Sequence, residues 1–258
     1  MAVLIPIGGA VDCETPDVFL RVLHEARKSG SETGDLKVCI VTSATNKPAK
    51  ARETYGQAFV RLGVKAPSIL HITDKAGASD PTAVQAAQEA NIIFFTGGDQ
   101  LRLVERIQGT PFMQVVIERF NEINGNCVIA GTSAGAAAMS EMMIYPDDDG
   151  PALEDGFNFC AELIIDTHFI ERGRLFRLFE VVAMHPGKMG LGLDEVTGAT
   201  VKNGRIEAFG SGKATLTDGG RILAILSEGD TFNMATRKAT YRPALPCMTG
   251  LVAGRCEP

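Results

Sequence analysis

The sequence predicts an α/β fold: a mostly parallel sheet with helices on both faces, and antiparallel strands at an edge in the C-terminal part. Three observations carry this. Through the first half, short apolar runs alternate with segments of helical spacing. That alternation is the pattern of β–α–β units, whose parallel strands are buried on both faces. The runs end in small residues, at Gly8-Gly9, Thr42-Ser43, Gly97-Gly98 and Gly131-Thr132-Ser133-Ala134-Gly135. Beyond Leu193 the runs shorten and turn pairs such as Asn203-Gly204 separate them, a hairpin signal.

In order, residues 3–7 read as a first core strand ending at Gly8-Gly9. Residues 16–29 carry Val18, Val22, Leu23 and Ala26 at helical spacing, with Thr15 as cap, Pro16 in the first turn and Gly30 beyond the end. Residues 36–42 form a strand, 48–62 a helix closed by Gly63, and 68–72 a short strand. Asp80-Pro81 opens a helix that runs to Ala90, and 92–96 is an apolar strand. Helices over 100–107 and 111–123 lead to the strand 127–130. Asp147-Asp148-Asp149-Gly150-Pro151 reads as an exposed acidic loop, 163–166 as a strand and 172–183 as a helix. Strands over 199–202 and 205–209 form a hairpin, and 214–217 and 222–226 flank Asp218-Gly219-Gly220. These last strands are expected at one edge of the same sheet. With no repeat, low-complexity segment or linker, residues 1–258 read as a single domain.

Composition narrows the function. Apolar residues make up 45% and charged residues 22%, an ordinary globular mix. A net charge of −6 without a basic stripe argues against a nucleic-acid partner. No apolar run reaches the ~18 residues of a membrane span, and residues 1–9 lack the basic start of a signal peptide. The six cysteines, Cys13, Cys39, Cys127, Cys160, Cys247 and Cys256, include no C-x-x-C pair. A disulfide framework or zinc site is therefore not expected, and a reducing cytoplasm is. Cys247 and Cys256, both near the C-terminus, are the pair whose spacing would allow a bond. No G-x-G-x-x-G or Walker loop is present, so neither nucleotide nor metal cofactor is called for.

The chemistry centres on Gly131-x-Ser133-x-Gly135. An apolar run enters it and a small-residue segment leaves, as in a nucleophile elbow, where the neighbours must be small enough for strand and helix nearly to touch. G-x-S-x-G alone also fits a plain glycine-rich connection. A serine nucleophile further needs a base, an acid to orient it and two donors for an oxyanion. Of four histidines, His24 lies mid-helix and His71 ends a short strand. His168, at a strand end, is the preferred base, with His185 the other candidate. Asp194 and Glu195 end an apolar segment, and spacing does not choose between them. The Ala134 N–H and the Gly97-Gly98 turn are the natural oxyanion donors. Arg172, Arg174 and Arg177 cluster after His168, and arginine forks bind carboxylates.

Four blocks together resemble the cyanophycinase family, which belongs with the dipeptidases called peptidase E: Thr96-Gly97-Gly98-Asp99-Gln100; Gly131 to Ala136; Asp166-Thr167-His168-Phe169 with Arg172, Arg174 and Arg177; and Gly190-Leu191-Gly192-Leu193-Asp194-Glu195. The resemblance implies a three-layer αβα fold like class I glutamine amidotransferases, with serine in place of their cysteine. It implies Ser133 as nucleophile, His168 as base, Glu195 as triad acid, Gly98 and Ala134 as oxyanion donors, and a homodimer. It also implies an exopeptidase-like hydrolase that degrades cyanophycin, a poly-aspartate carrying arginine on each β-carboxyl, to β-Asp-Arg dipeptides. Gln100, Asp166, Thr167, Arg172, Arg174 and Arg177 then match the pocket, Asp166 facing a substrate guanidinium and the arginines its carboxylates. Thr167 departs from the glutamine expected there, which leaves the exact β-aspartyl substrate, and endo- or exo-cleavage, open. Other readings are an aspartyl dipeptidase of the peptidase E type, a peptide-binding protein of the same fold without catalysis, and an α/β-hydrolase esterase. The last requires the order serine, acid, histidine, whereas here the acid follows the histidine.

Overall fold

The structure, a computed structural model, describes residues 2–12, 14–28, 35–122, 127–147 and 150–243. Its first half alternates strictly: β1 (Val3–Ile7), α1 (Pro16–Lys28), β2 (Val38–Val41), α2 (Pro48–Arg61), β3 (Ser68–Leu70), α3 (Pro81–Glu89), β4 (Ile92–Phe95), α4 (Gln100–Ile107), α5 (Pro111–Asn121), β5 (Val128–Thr132) and α6 (Ala134–Ala137). Asp80, Asp99 and Thr110 each accept a backbone N–H of the first turn of α3, α4 and α5, and Pro48, Pro81 and Pro111 fill first-turn positions. Thr15 does something else. Its hydroxyl accepts the Asp12 N–H at 2.8 Å and closes the turn ahead of α1.

The second half adds β6 (Met142–Asp147), β7 (Gly150–Asp155), β8 (Leu163–Thr167), α7 (Leu175–Ala183), β9 (Met189–Leu193), β10 (Thr197–Lys202), β11 (Arg205–Gly210), β12 (Ala214–Thr217), β13 (Ile222–Leu226), β14 (Thr231–Asn233) and β15 (Lys238–Thr240). The main sheet runs β15-β14-β11-β10-β1-β5-β4-β2-β3. Its β1-β5-β4-β2-β3 portion is parallel, and the strands beyond β1 are antiparallel.

Every residue of β1, β2, β4 and β5 is buried, because helices cover both faces. The alternation of side chains across a strand sends the two phenylalanines of β4 opposite ways. Phe94 meets Phe19 of α1 and Phe59 of α2 at centroid distances of 5.8 and 5.5 Å. Phe95 packs into the other core with Leu103, Phe112 and Val116 of α4 and α5. Burying one such ring is worth about 1.5–3 kcal/mol, so the layer order is written into this one strand.

Two expectations are corrected. The segment around Asp147 is not a loop but a hairpin of β6 and β7, with Asp148 and Asp149 outside the described residues. Nor do all the late strands join one edge: β12 and β13 pair with β9 and β8 in a separate four-stranded sheet. Gly190 and Gly192 let Leu178 of α7 and Phe169 lie directly on β9; a Cβ on Gly192 would be 2.5 Å from the Phe169 ring. The edges of β9 pair with β8 on one side and β12 on the other. Cys13, Cys247 and Cys256 lie outside the described residues, while Cys39, Cys127 and Cys160 are buried free thiols.

Candidate active site

The end of β1 draws the site together. Ile7 O accepts the Ser133 N–H at 2.9 Å, Gly8 O accepts the His168 N–H at 2.9 Å, and Gly9 O accepts the Val196 N–H at 2.9 Å. One short segment therefore holds the end of β5, the end of β8 and the residue after Glu195.

Ser133 sits between β5 and α6 at φ 52°, ψ −114°, a conformation that costs a non-glycine residue on the order of 1–3 kcal/mol. The glycines beside it are required by contact. A Cβ on Gly131 would be 2.7 Å from the Gly135 backbone, and one on Gly135 would be 2.3 Å from Phe95 O. His168 (φ 50°) also has a left-handed backbone. Its Nε2 lies 2.9 Å from Ser133 Oγ and its Nδ1 2.6 Å from Glu195 Oε1. Ser133, His168 and Glu195 thus form one hydrogen-bonded line.

Asp194 is turned away from that line. Its Oδ1 accepts the Ile170 N–H at 3.3 Å and its Oδ2 the Lys213 N–H at 2.9 Å, which ties the histidine loop to β12's approach. Burial pushes its carboxyl upward, against the pull of those two N–H groups. Glu171, which sequence reasoning passed over, accepts the Glu195 N–H at 3.1 Å. The other histidines are elsewhere: His185 Nδ1 contacts Val181 O at 2.7 Å at the end of α7, His71 Nδ1 contacts Thr42, and His24 is exposed on α1.

The Gly97-Gly98 turn abuts the serine. A Cβ on Gly97 would be 3.3 Å from the Ser133 Cβ, and one on Gly98 (φ +144°) would be 2.4 Å from Ala44 O. Among the described residues, the Gly98 and Ala134 N–H groups donate to no acceptor.

Asp166, the residue expected to face a substrate guanidinium, anchors the arginine block. Asp166, 2% exposed, is occupied from within the chain. Arg174 Nη1 donates to its Oδ1 at 3.1 Å, Arg177 Nε to its Oδ2 at 2.9 Å, and Arg177 Nη2 to its Oδ1. Arg174 also donates to Thr167 O at 2.5 Å. Burial lowers the Arg174 pKa, the Asp166 charge opposes that, and the nearby charges of Arg177 and Arg172 add to it. Arg172 is exposed in the turn before α7, and its guanidinium has no hydrogen bond or ion pair among the described residues. Thr167 is buried, and Gln100 Nε2 donates to Ile144 O at 3.0 Å. The block's spacing, a carboxylate followed by cations eight and eleven residues on, was the available signal for an internal ion pair.

Among the described residues no three His, Cys, Asp or Glu side chains are grouped to hold a metal, and no helix is long and apolar enough to cross a membrane. A serine on a strand–turn–helix, joined through an imidazole to a carboxylate at the rim of an αβα sheet, is the arrangement of serine hydrolases. Comparison with known proteins narrows that class. The model of peptidase family S51 matches residues 21–209, which hold all three of these side chains, and the chain belongs to that family of serine peptidases. It is 31% identical over 264 residues to a cyanophycinase of Geminocystis herdmanii, covering 91% of this chain and 94% of that one. A Nostoc cyanophycinase is 31% identical over 272 residues, 95% of this chain and 88% of its own length. Among solved structures, a peptidase from an acI-B1 Actinobacterium superposes with a TM-score of 0.73 at 20% identity, covering 90% of this chain and 97% of that one. A putative peptidase E from Listeria monocytogenes gives 0.59 at 16%, covering 82% and 99%. The last two establish a shared fold.

Proposed function

We propose that this serine peptidase degrades cyanophycin or a closely related β-aspartyl polymer to β-Asp-Arg dipeptides through an acyl-enzyme on Ser133. The observation that carries the reading is the line from Ser133 Oγ to His168 Nε2 (2.9 Å) and from His168 Nδ1 to Glu195 Oε1 (2.6 Å). The relatives' name, cyanophycinase, supplies the substrate class.

The roles follow from the atoms. Glu195 Oε1 accepts the hydrogen bond of a protonated Nδ1, which leaves Nε2 unprotonated and facing the hydroxyl. Nε2 takes the Ser133 proton as Oγ attacks the scissile carbonyl. The new oxyanion meets the unpaired N–H groups of Gly98 and Ala134, donors already fixed by the Ala44 contact and by α6. The imidazolium, held by Glu195, then gives its proton to the leaving amine. Water repeats the cycle on the ester and restores Ser133. Arg172, the cation of the block with no side-chain partner among the described residues, reads a free carboxylate of the substrate. Arg174 and Arg177, clamped by Asp166, shape the wall behind it. The homodimer belongs to the same proposal, and sedimentation would read it.

The test is incubation with insoluble cyanophycin and mass analysis of the soluble products. β-Asp-Arg dipeptide is expected. Cleavage of α-linked aspartyl dipeptides without attack on the polymer would move the assignment to the peptidase E type. Hydrolysis of esters alone would remove the peptidyl substrate altogether.

A further inference from the structure

Glu195 lies on a crossing between the two sheets. β9 of the four-stranded sheet ends at Leu193 and β10 of the main sheet begins at Thr197, so Asp194, Glu195 and Val196 make the passage. The crossing is strained at Val196, whose φ is 51°. A β-branched residue takes up that left-handed backbone only where its surroundings hold it there. Here they do: the Val196 N–H donates to Gly9 O at 2.9 Å and Val196 O accepts the Ser211 N–H at 3.1 Å. Glu195 shares a peptide with Val196, so relaxation of the turn would swing the carboxylate that meets His168.

Thr197 holds the Glu195 end of that peptide. Its hydroxyl donates to Glu195 O at 2.9 Å and accepts the Gly212 N–H at 2.8 Å, which uses it as donor and acceptor at once. Thr197 is 1% exposed, so water does not take the place of either bond. The fit at Gly212 requires a glycine: a Cβ there would be 2.6 Å from Thr197 Oγ1 and 2.7 Å from the Asp194 Cβ. Segment 211–213 is itself anchored to the crossing, since Lys213 N–H donates to Asp194 Oδ2 and Lys213 O accepts the Asp194 N–H. On its other side the Glu195 N–H donates to Glu171, an exposed carboxylate. The buried support of the triad acid is therefore the Thr197 hydroxyl.

We infer that Thr197 is a positioning residue for the triad acid: its hydroxyl ties the Glu195 peptide to segment 211–213 and keeps Glu195 Oε1 at 2.6 Å from His168 Nδ1. The hydroxyl, not the methyl, carries the role. The inference rests on Ser133 acting as nucleophile and on no particular substrate.

The test is the rate at which a fluorophosphonate labels Ser133, followed by intact mass, because that reaction uses serine, base and acid without any polymer. Thr197→Val keeps the shape and loses the hydroxyl. Its rate at saturating reagent should fall roughly tenfold, less than the hundredfold of a full 1 Å misplacement, with the half-saturating concentration unchanged. Thr197→Ser keeps the hydroxyl and loses the methyl, and should label at close to the parent rate even where its Tm drops. Thr197→Cys, shaped like serine with only a weak donor, repeats the comparison if Thr197→Val does not fold, and should be slow. The valine variant labelling as fast as the serine variant, the two equally slow, or an effect confined to the half-saturating concentration would each overturn the role. A parent left unlabelled at Ser133 would remove the serine chemistry and the inference with it. Labelling of the expected pattern without hydrolysis of cyanophycin would remove only the polymer.

Discussion

Gly9 is the seat of the His168 imidazole: a Cβ at Gly9 would stand 2.3 Å from the ring's Cε1 and 2.5 Å from Nε2. Gly9 also has φ +127°, where a side chain is strained whatever the space. Any residue with a Cβ must therefore push the ring off its line between Ser133 and Glu195.

Gly9→Ala is accordingly expected to reduce kcat by roughly a hundredfold or more, since displacing a catalytic group by about 1 Å costs that much. Near-native circular dichroism with lost activity supports the seat. Full activity would show that the ring has another place to rest.

Ser133→Ala should leave the fold intact, because it removes one hydroxyl from a turn held by backbone contacts, and should abolish polymer hydrolysis to within about a thousandth of wild type. His168→Ala should be nearly as damaging, and the double variant little worse than either, because the groups act as a unit. His185→Ala should cost far less, since the His185 ring bonds to Val181 O at the end of its own helix, away from Ser133. More than about a tenth of the activity surviving in Ser133→Ala would exclude a seryl intermediate.

The strand–helix alternation and the elbow were legible because they are local. Burial on both faces writes continuous apolar runs, and the close approach of Gly131 to Gly135 admits only small residues. The choice between Asp194 and Glu195 was not legible from spacing. Adjacent residues point opposite ways, and which one meets His168 depends on how β9 leaves its sheet. The second sheet was hidden for a related reason: β12 pairs with β9, a segment distant from it in sequence, and no local pattern chooses that partner over the main sheet's edge. The role of Gly8-Gly9 was half visible. The pair marked a strand end, but nothing local says that an imidazole rests on it. The pairing of Asp166 was ambiguous, because a carboxylate beside arginines reads equally well as a substrate contact or as their anchor.

Stability should fall in alkali. Burial raises the thiol of Cys39 to about 12 and those of Cys127 and Cys160 to about 11, from an ordinary 9.0. The unfolded thiols ionise first, so stability present below pH 9 is lost as pH rises through the folded values. Denaturant titrations between pH 8 and pH ~10.5 should show a declining midpoint, with a shallower decline in Cys39→Ala measured against its own value at pH 8. In the folded protein at pH 8 these three thiols should resist thiol reagents, read by mass analysis of labelled peptides. Rapid labelling of Cys39 would contradict its burial.

The arginine block separates into two kinds of residue, and substitution should expose the division. Asp166→Asn removes the charge that holds Arg174 and Arg177, whose side chains are only 16% and 19% exposed. Leaving two partly buried cations unpaired should cost about 2 kcal/mol, discounted from the fully buried case for their contact with water, and lower Tm by about 5 °C. Arg172→Ala touches no internal partner, so its Tm should stay within about 1 °C. If Arg172 reads a substrate carboxylate, kcat/KM on cyanophycin should instead fall by roughly tenfold, mostly through KM. Lysine at that position should restore only part, because an ammonium lacks the planar fork. A large drop in Tm for Arg172→Ala, or unchanged kinetics, would return Arg172 to the scaffold and leave the clamped pair as the cations nearest the substrate.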